Sequence, residues 1–491
     1  RFAIGGGSPP HAKPPPASFA GNTPLFGHPD WEVYVLEADN DLEVTFPARA
    51  GQRLVSVSFE RKFSEPEGVL QPRQTGFPLA INERWGGNAA ISSVEIGGPH
   101  SVDGPGDTAS RRLIFDCHPD RGANDVQCAR EILSRLARRA YRRPVTDGDV
   151  ETLLDFYQPR QRTDGFEAGI QMALQRMLSD PEFIFRVERD PVGVAPGASY
   201  HVSGLTLASR LSFFLWSSIP DDELLDLAIR GELADAAVQE RQVRRMLADP
   251  RASALVDNFV GQWLLTRNVA TVTPDPIAFP TFDENLRAAF RRESELFVAS
   301  IIGDDRSVVD LVDADYTYVN ERLARHYGIT GVYGNRFRRV TLRDRRRGGV
   351  LGHGSLLTVT SYPNRTSPVL RGKWVLENLL GTPPPAPPPD VPPLPERGRG
   401  GEPVSGRALL EQHRENPVCA GCHAPMDPLG FALENFDAIG GWRTSDASAP
   451  IDASGALPTG MQFDGPSGLR RLLVADPEPL VRTVTEKLLA Y

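Results

Sequence analysis

The sequence predicts a mainly α-helical, multi-domain protein with an antiparallel β-sandwich near its N-terminus and a separate helical module at its C-terminus. Three observations predict this architecture. Apolar residues alternate with polar or small ones before residue 116, the apolar period becomes helical after Cys128, and a CxxCH motif follows a proline-rich stretch near the C-terminus. A chain of 491 residues has room for about three or four domains.

Four short segments carry the strand pattern, and clusters of Gly, Pro, Asn and Asp separate them. A series of short alternating segments between turn residues is typical of an antiparallel sandwich. The predicted strands are Trp31–Leu36, Leu42–Phe46, Arg53–Phe59 and Ser93–Ile96.

The helical pattern begins with Ala129–Tyr141, in which Ile132, Leu133, Leu136 and Ala140 share one face. Prolines and capping residues then divide the chain into further helices, and the run Pro383–Pro389 predicts a polyproline II spacer. The predicted divisions are a linker or extended arm at 1–30, the β-sandwich at 31–116, helical domains at 117–190 and 191–340, a connecting block with a proline-rich arm at 341–400, and the CxxCH module at 401–491.

Composition excludes several classes of function. The formal net charge is −9, which disfavours a nucleic acid or an anionic membrane as partner, because attraction to phosphate needs a basic surface. The sequence has no run of 18 apolar residues, so no transmembrane segment is expected. The chain starts at Arg1 and stops at Tyr491 within a helical pattern, so we expect processing or truncation at both ends.

The four cysteines form two pairs. Cys117 and Cys128 flank a short loop and are expected to form a disulfide, which is typical of an oxidising compartment. We therefore expect a periplasmic or cell-surface protein.

The second pair lies in Cys419-Ala-Gly-Cys422-His423, the pattern of c-type haem attachment. Both thiols would bond to the haem vinyl groups and His423 would bind the iron, so haem c is the predicted cofactor. A structural disulfide, half of a zinc site or a redox dithiol are the alternatives for this motif. Zinc would need further ligands, and the sequence contains no second CxxC and no HxxxH.

Other residues are candidates for the haem surroundings. Met461 is the predicted sixth iron ligand, although a loop or core methionine is the competing interpretation. Met426, His353 and His413 are weaker options, since Met426 follows His423 too closely to reach the opposite haem face. Phe431 and Trp442, with Leu433 and Phe436, would wall the pocket, and Arg443 would pair with a propionate. The same residues could equally form the core of a small helical domain.

Two groups of polar residues leave their roles open. Asp427, Glu434 and Asp437 fit helix caps or internal ion pairs, and a calcium site is the weaker alternative. A polar and basic cluster near Trp374 could hold propionates, join domains, or simply face solvent. That cluster comprises Asn364, Arg365, Arg371 and Lys373.

Long stretches of the sequence resemble the planctomycete-type cytochrome c-like multi-domain family, whose members are large extracytoplasmic bacterial proteins built from domains of unknown function. The resemblance covers roughly residues 110–491. It implies a haem-bearing, cytochrome c-like C-terminal module and a final domain that continues beyond Tyr491, but no substrate. The stretches that carry it are Leu136–Val145, Met177–Arg186, Leu207–Trp216, Thr358–Gly381 and Cys419–Asp437.

Two functional hypotheses follow. The first is an extracytoplasmic c-type cytochrome that works in electron transfer or redox chemistry through one covalent haem, with a redox partner protein or a larger assembly. Its enzymatic form would be a haem-dependent oxidoreductase such as a peroxidase. The alternative is a haem-free interaction or glycan-binding protein, in which Cys419 and Cys422 form a structural disulfide and the β-sandwich contacts the glycan.

Overall fold

The computed structural model describes residues 42–58, 93–104, 106–119, 125–188, 191–195, 197–386, 406–446 and 449–491. Within them the chain is mainly helical. It divides into two compact units, Arg1–Cys128 and Ala129–Tyr491.

The predicted N-terminal β-sandwich is wrong. Residues 42–58 and 93–104 contain no strand, and their apolar side chains, such as Leu54 at 92% exposure, face solvent. Trp31–Leu36 lies outside the described residues. Alternation marks two faces of a segment, but a strand also needs a neighbour that pairs its backbone and covers its apolar face. The glycan contact assigned to the sandwich loses its structural basis with it.

Within residues 42–58, 93–104 and 106–119 the first unit has one helix, α1 (Ala109–Ile114), and a second helix begins at Asp125. Thr108 caps α1, because its side-chain oxygen accepts a hydrogen bond from the Arg111 amide. Cys117 and Cys128 are joined by a disulfide with their Cα atoms 5.7 Å apart, within the usual range for such a bond.

The helical pattern after Cys128 is confirmed by α2 (Asp125–Tyr141), in which Ile132 and Leu133 are fully buried. Thr146 and Asp149 form a reciprocal capping box that starts α3. The helices that follow α2 are α3 (Asp147–Asp164), α4 (Phe166–Leu178), α5 (Pro181–Ile184), α6 (Gly204–Trp216), α7 (Asp222–Ile229), α8 (Ala236–Ala248), α9 (Ser253–Leu255), α10 (Gly261–Trp263), α11 (Glu284–Gly303), α12 (Asp310–Asp313), α13 (Glu321–Tyr327), α14 (Gly354–Val359), α15 (Pro368–Asn378), α16 (Gly406–His413), α17 (Pro417–Phe431), α18 (Gly465–Ala475) and α19 (Glu478–Ala490).

Strands are short and form two-stranded antiparallel sheets in the described parts of the chain. In the first sheet Tyr316 lies opposite Thr341 and Val319 lies opposite Arg338. The pairs are β1 (Tyr316–Val319) with β2 (Arg338–Thr341), β3 (Ser361–Tyr362) with β4 (Arg365–Thr366), β5 (Ser445–Asp446) with β6 (Ala449–Pro450), and β7 (Ser454–Ala456) with β8 (Gln462–Asp464).

One large hydrophobic core organises the second unit. Trp216 and Phe297 from the central helices pack in the same cluster as Trp374 of α15 and Leu433, which follows α17. The predicted ranges 191–340, 341–400 and 401–491 therefore share this core, while their boundaries stay predictions. No helix among the described residues is both long and apolar enough to cross a membrane.

A carboxyl group is buried inside this unit. Glu293 of α11 is fully buried and accepts hydrogen bonds from Thr317 Oγ1 and Tyr327 Oη, each at 2.6 Å. Burial raises the pKa of the Glu293 carboxyl to about 7, and the two hydroxyl donors partly oppose this shift. Burial in the core therefore disfavours the ionised form of the Glu293 carboxyl.

Glu293→Gln should change how stability depends on pH. The raised pKa of about 7, against an ordinary value of 4.5, means that the folded state binds the extra proton between these values. The group thus stabilises the fold at low pH, and this contribution is lost as the pH rises through 7. We expect the free energy of unfolding of wild type relative to Glu293→Gln to fall by on the order of 3 kcal/mol between about pH 4 and pH 8. Urea unfolding followed by circular dichroism measures it.

The matched control is Glu284→Gln, on the exposed first turn of the same helix. Its difference from wild type should stay nearly flat over the same pH range. Parallel pH profiles for wild type and Glu293→Gln would contradict the prediction.

Candidate functional site

The CxxCH motif lies in the first half of α17. Asn416 caps this helix by accepting a hydrogen bond from the Val418 amide, and Pro417 occupies the first turn. Cys419, Cys422 and His423 are three and four residues apart, so the helix places them on one face. Both cysteines are free thiols and are partly exposed.

His423 is held by a carboxylate one helical turn further on. Its Nδ1 atom lies 2.9 Å from Asp427 Oδ1, and Asp427 is fully buried whereas the His423 side chain is 17% exposed. An ionised carboxylate only accepts, so Nδ1 carries the proton and donates it. The lone pair of Nε2 is then free to bind a metal, which is the arrangement that metal-binding histidines use.

The second carboxylate oxygen of Asp427, Oδ2, does not take part in the contact with His423. Asp427 Oδ2 is buried and has no hydrogen-bond partner among the described residues. Arg414 lies 3.8 Å from it through Nε, so a cation faces the carboxylate at the edge of ion-pair distance. The sequence predicts Asp427 as a cap, an internal ion-pair residue or, more weakly, a calcium ligand, and the structure shows it paired with His423. Its spacing of four from His423 was the signal that could have identified its role.

A second imidazole lies beside His423. The ring centroids of His413, at the end of α16, and His423 are 4.9 Å apart and nearly perpendicular. Burial, and then the neighbouring His423, lower the pKa of His413. Within the described ranges no group of three or more His, Cys, Asp or Glu side chains could hold a metal ion. The two thiols and one imidazole of the motif match the donors that haem attachment needs.

The structure separates the candidates for the sixth ligand. Met461 is an exposed residue in the turn between β7 and β8, so its role stays a prediction. His353 is buried, with Nδ1 3.0 Å from Ser294 Oγ, and burial lowers its pKa to about 3. Met426 is packed in the hydrophobic core. The side chains of His353 and Met426 are therefore both packed inside the protein.

The two predicted pocket aromatics have different neighbours. Phe431 is buried, with the guanidinium of Arg414 5.9 Å from its ring centroid, so it shares Arg414 with Asp427. Trp442 packs edge-on against Phe436, with ring centroids 5.2 Å apart. Phe431 and Asp427 thus have Arg414 as a common neighbour, and Trp442 belongs to the core formed with Phe436.

Arg443 belongs to a second network. It pairs with Glu434 at 2.9 Å and donates to Thr366 Oγ1 at 3.0 Å. Its predicted contact with a haem propionate stays untested, but in this structure Glu434 already holds the guanidinium.

Arg371 is the centre of that network and is completely buried. Its guanidinium donates to the carbonyl oxygens of Leu433, Phe436 and Asp437 at 2.7 to 2.8 Å. It also pairs with Glu434 at 3.1 Å. Burial lowers the pKa of Arg371, and Glu434 opposes that shift. Arg371 therefore fixes the chain that leaves the CxxCH helix.

The predicted basic cluster around Arg371 does not assemble as one group. Arg365 lies over the ring of Tyr362, 4.5 Å from its centroid, and is exposed. Lys373 is half exposed and lies 3.5 Å from Glu377 on the same helix. Only Arg371 turns into the core, because α15 presents its two sides to different surroundings.

Close contact with α15 positions α17. A Cβ at Gly372 would collide with the Met426 carbonyl oxygen, and a Cβ at Gly430 would collide with the Pro368 carbonyl oxygen. Glycine at both positions lets the two backbones touch. The buried second half of α17 is thereby fixed, while the first half carries the two thiols at the surface.

Three family models match the chain, and all are described as proteins of unknown function. PSD5 (DUF1595) matches residues 128–188, PSD4 (DUF1592) matches 202–329, and PSCyt3 (DUF1588) matches 347–446. These matches fit the planctomycete-type multi-domain family. The PSCyt3 match contains α15, Asp427 and the whole CxxCH motif. No curated protein and no solved structure matches the chain.

Arg371→Met should strongly destabilise the PSCyt3 region. The substitution removes a buried cation that donates to three carbonyl oxygens, and those oxygens lose this donor. Glu434 also loses its ion pair with Arg371 and keeps the pair with Arg443. Removing one partner of a buried ion pair costs about 3–5 kcal/mol. Chemical unfolding with tryptophan fluorescence measures the loss.

Lys373→Met is the matched control, two residues further along α15 and half exposed. Its effect should stay within about 0.5 kcal/mol, as for ordinary surface substitutions. Equal stability of the two variants would show that the Arg371 contacts contribute little.

Proposed function

We propose that this chain is an extracytoplasmic c-type cytochrome, with one haem bonded to Cys419 and Cys422 and its iron bound by His423. The observation that carries the proposal is the His423–Asp427 pair, at 2.9 Å, on the same helix as both free thiols. A structural disulfide needs no imidazole, whereas an iron-binding histidine is typically oriented by a carboxylate on its other ring nitrogen. The PSCyt3 name of the matching model supports the proposal without showing haem.

Bound haem would supply a one-electron redox centre. The chain's own residues have three tasks in this proposal. The first half of α17 presents both partly exposed thiols, Asp427 fixes the tautomer and the orientation of His423, and Arg414 faces the second oxygen of the Asp427 carboxylate. The partial exposure of the motif leaves the centre accessible to a redox partner protein.

The proposed compartment is the periplasm or the cell surface. The Cys117–Cys128 disulfide supports it, because disulfides form and persist mainly in oxidising compartments. The haem-free alternative would instead join Cys419 to Cys422 in a structural disulfide.

Protein purified from its native host should carry covalent haem. After denaturing electrophoresis the wild-type band should stain for haem, and acid–organic extraction should not remove it. Cys419→Ala combined with Cys422→Ala should lose all covalent haem, because no thioether can form. His423→Ala should keep its haem but shift the Soret band, since only the iron ligand is lost.

Val418→Ala, an exposed change on the same helix, is the control and should behave as wild type. A colourless wild-type protein from the native host would overturn the proposed function.

Asp427→Asn should raise the reduction potential of the haem. The buried carboxylate makes His423 more electron-donating and places negative charge near the iron, and both favour the ferric state. A tenfold change in that equilibrium corresponds to about 59 mV for one electron, and we expect a rise on this order. Potentiometric titration of the haem protein measures it.

The control is Asp476→Asn, an exposed change between α18 and α19, which should leave the potential unchanged. In haem-free protein, nitrogen NMR should find the His423 proton on Nδ1 in wild type. An unshifted potential in Asp427→Asn would show that the carboxylate has only a packing role.

A further inference from the structure

A strongly basic surface lies around β2. Seven of the twelve residues 336–347 are arginine and one is acidic, in a chain whose net charge is −9. Four of these arginines are exposed and have no carboxylate within ion-pair distance among the described residues. We call Arg336, Arg338, Arg339 and Arg343 the arginine strip.

Several other exposed arginines of the described chain are paired with acids. Arg160 lies 2.9 Å from Asp164, Arg244 lies 2.9 Å from Glu240, and Arg482 lies 3.2 Å from Glu478. Such pairs keep a surface charged without a net excess of either sign. The arginine strip departs from this pattern, so its positive charge is uncompensated.

Neutral groups hold two of the strip's guanidinium groups in place. Arg338 Nη2 donates to the carbonyl oxygens of Tyr333 and Arg336. The guanidinium of Arg339 lies 3.7 Å from the centroid of the Tyr316 ring. The carbonyl oxygens and the tyrosine ring orient these guanidinium groups without neutralising their charge. Because the side chains are already oriented, they lose less conformational entropy when an anion binds.

The strip follows an open strand edge. Strand β2 pairs with β1 along one side, and within the described ranges its other side has no strand partner. Most of β2 is exposed, whereas most of β1 is buried. From Arg336 to Arg343 an extended chain covers about 23 Å, which is the length of a strand of about seven residues.

We infer that the arginine strip and the open edge of β2 bind an acidic, extended segment of a partner protein, which adds to the sheet as a third strand. Backbone groups along β2 would pair with the segment, and its carboxylates would meet the guanidinium groups. A polyanionic glycan or a nucleic acid would match the charge but has no backbone ladder for β2. The inference does not depend on haem at Cys419 and Cys422.

A peptide of four threonine–glutamate repeats tests this with the full chain, and four threonine–glutamine repeats provide the uncharged control peptide. We expect the acidic peptide to bind at low salt and to weaken as salt is added, because exposed charges are screened. Hydrogen exchange at the Arg339 and Thr341 amides should slow when the peptide binds. The uncharged peptide should bind at least tenfold more weakly.

The test variant changes Arg336, Arg338, Arg339 and Arg343 to Gln, and the matched control changes Arg160, Arg210, Arg244 and Arg482 to Gln. Both remove four positive charges from exposed positions, and circular dichroism checks that both fold. Binding of the acidic peptide should fall at least tenfold in the test variant and persist in the control.

Three results would overturn the inference. Equal binding by both variants would show that the strip is not the site. Binding of heparin without binding of the acidic peptide would assign the strip to a glycan. Binding of neither would leave the arginines as protection of an exposed strand edge against aggregation, a role that charged edge residues often have.

Discussion

The buried guanidinium of Arg371 is the contact on which the C-terminal half of the structure depends. It gathers the carbonyl oxygens of Leu433, Phe436 and Asp437 and pairs with Glu434, so the chain leaving α17 turns back against α15. A buried cation is unfavourable without partners, and the turn's carbonyl oxygens are unfavourable without donors. Each group thus satisfies the other. The backbone contacts at Gly372 and Gly430 complete this interface.

This anchoring divides α17 into two parts with different properties. The second half, from Met426 to Phe431, is buried, while the first half presents Cys419 and Cys422 near the surface. Asp427 stands at the junction: its backbone belongs to the buried half and its carboxylate holds His423. A ligand residue supported from the core by a fixed carboxylate is preorganised for metal binding. The proposed redox site therefore combines an accessible motif with a rigid base.

Charged residues of the second unit have different partners inside the core and at the surface. Inside, Glu293 and Arg371 are buried and matched by hydroxyl groups or carbonyl oxygens. Outside, many arginines pair with neighbouring acids, so they add little to stability and little net charge. The arginine strip follows neither pattern. Its guanidinium groups remain exposed and uncompensated beside an open strand edge, which is why a binding role is the physical explanation that we propose for it.

The sequence by itself determined the helical period from Ala129 onward, the CxxCH motif and the pairing of Cys117 with Cys128, because each depends on local spacing. Tertiary structure decided the rest. The alternating segments before residue 105 form no strands in the described parts, since a strand needs a partner that alternation cannot supply. From the sequence, Arg371 was one member of a basic cluster with several possible roles, and Asp427 was a cap or an ion-pair residue. The roles of both residues depend on their burial. Burial is set by the elements that pack against a helix, and residue spacing along the chain does not reveal those elements.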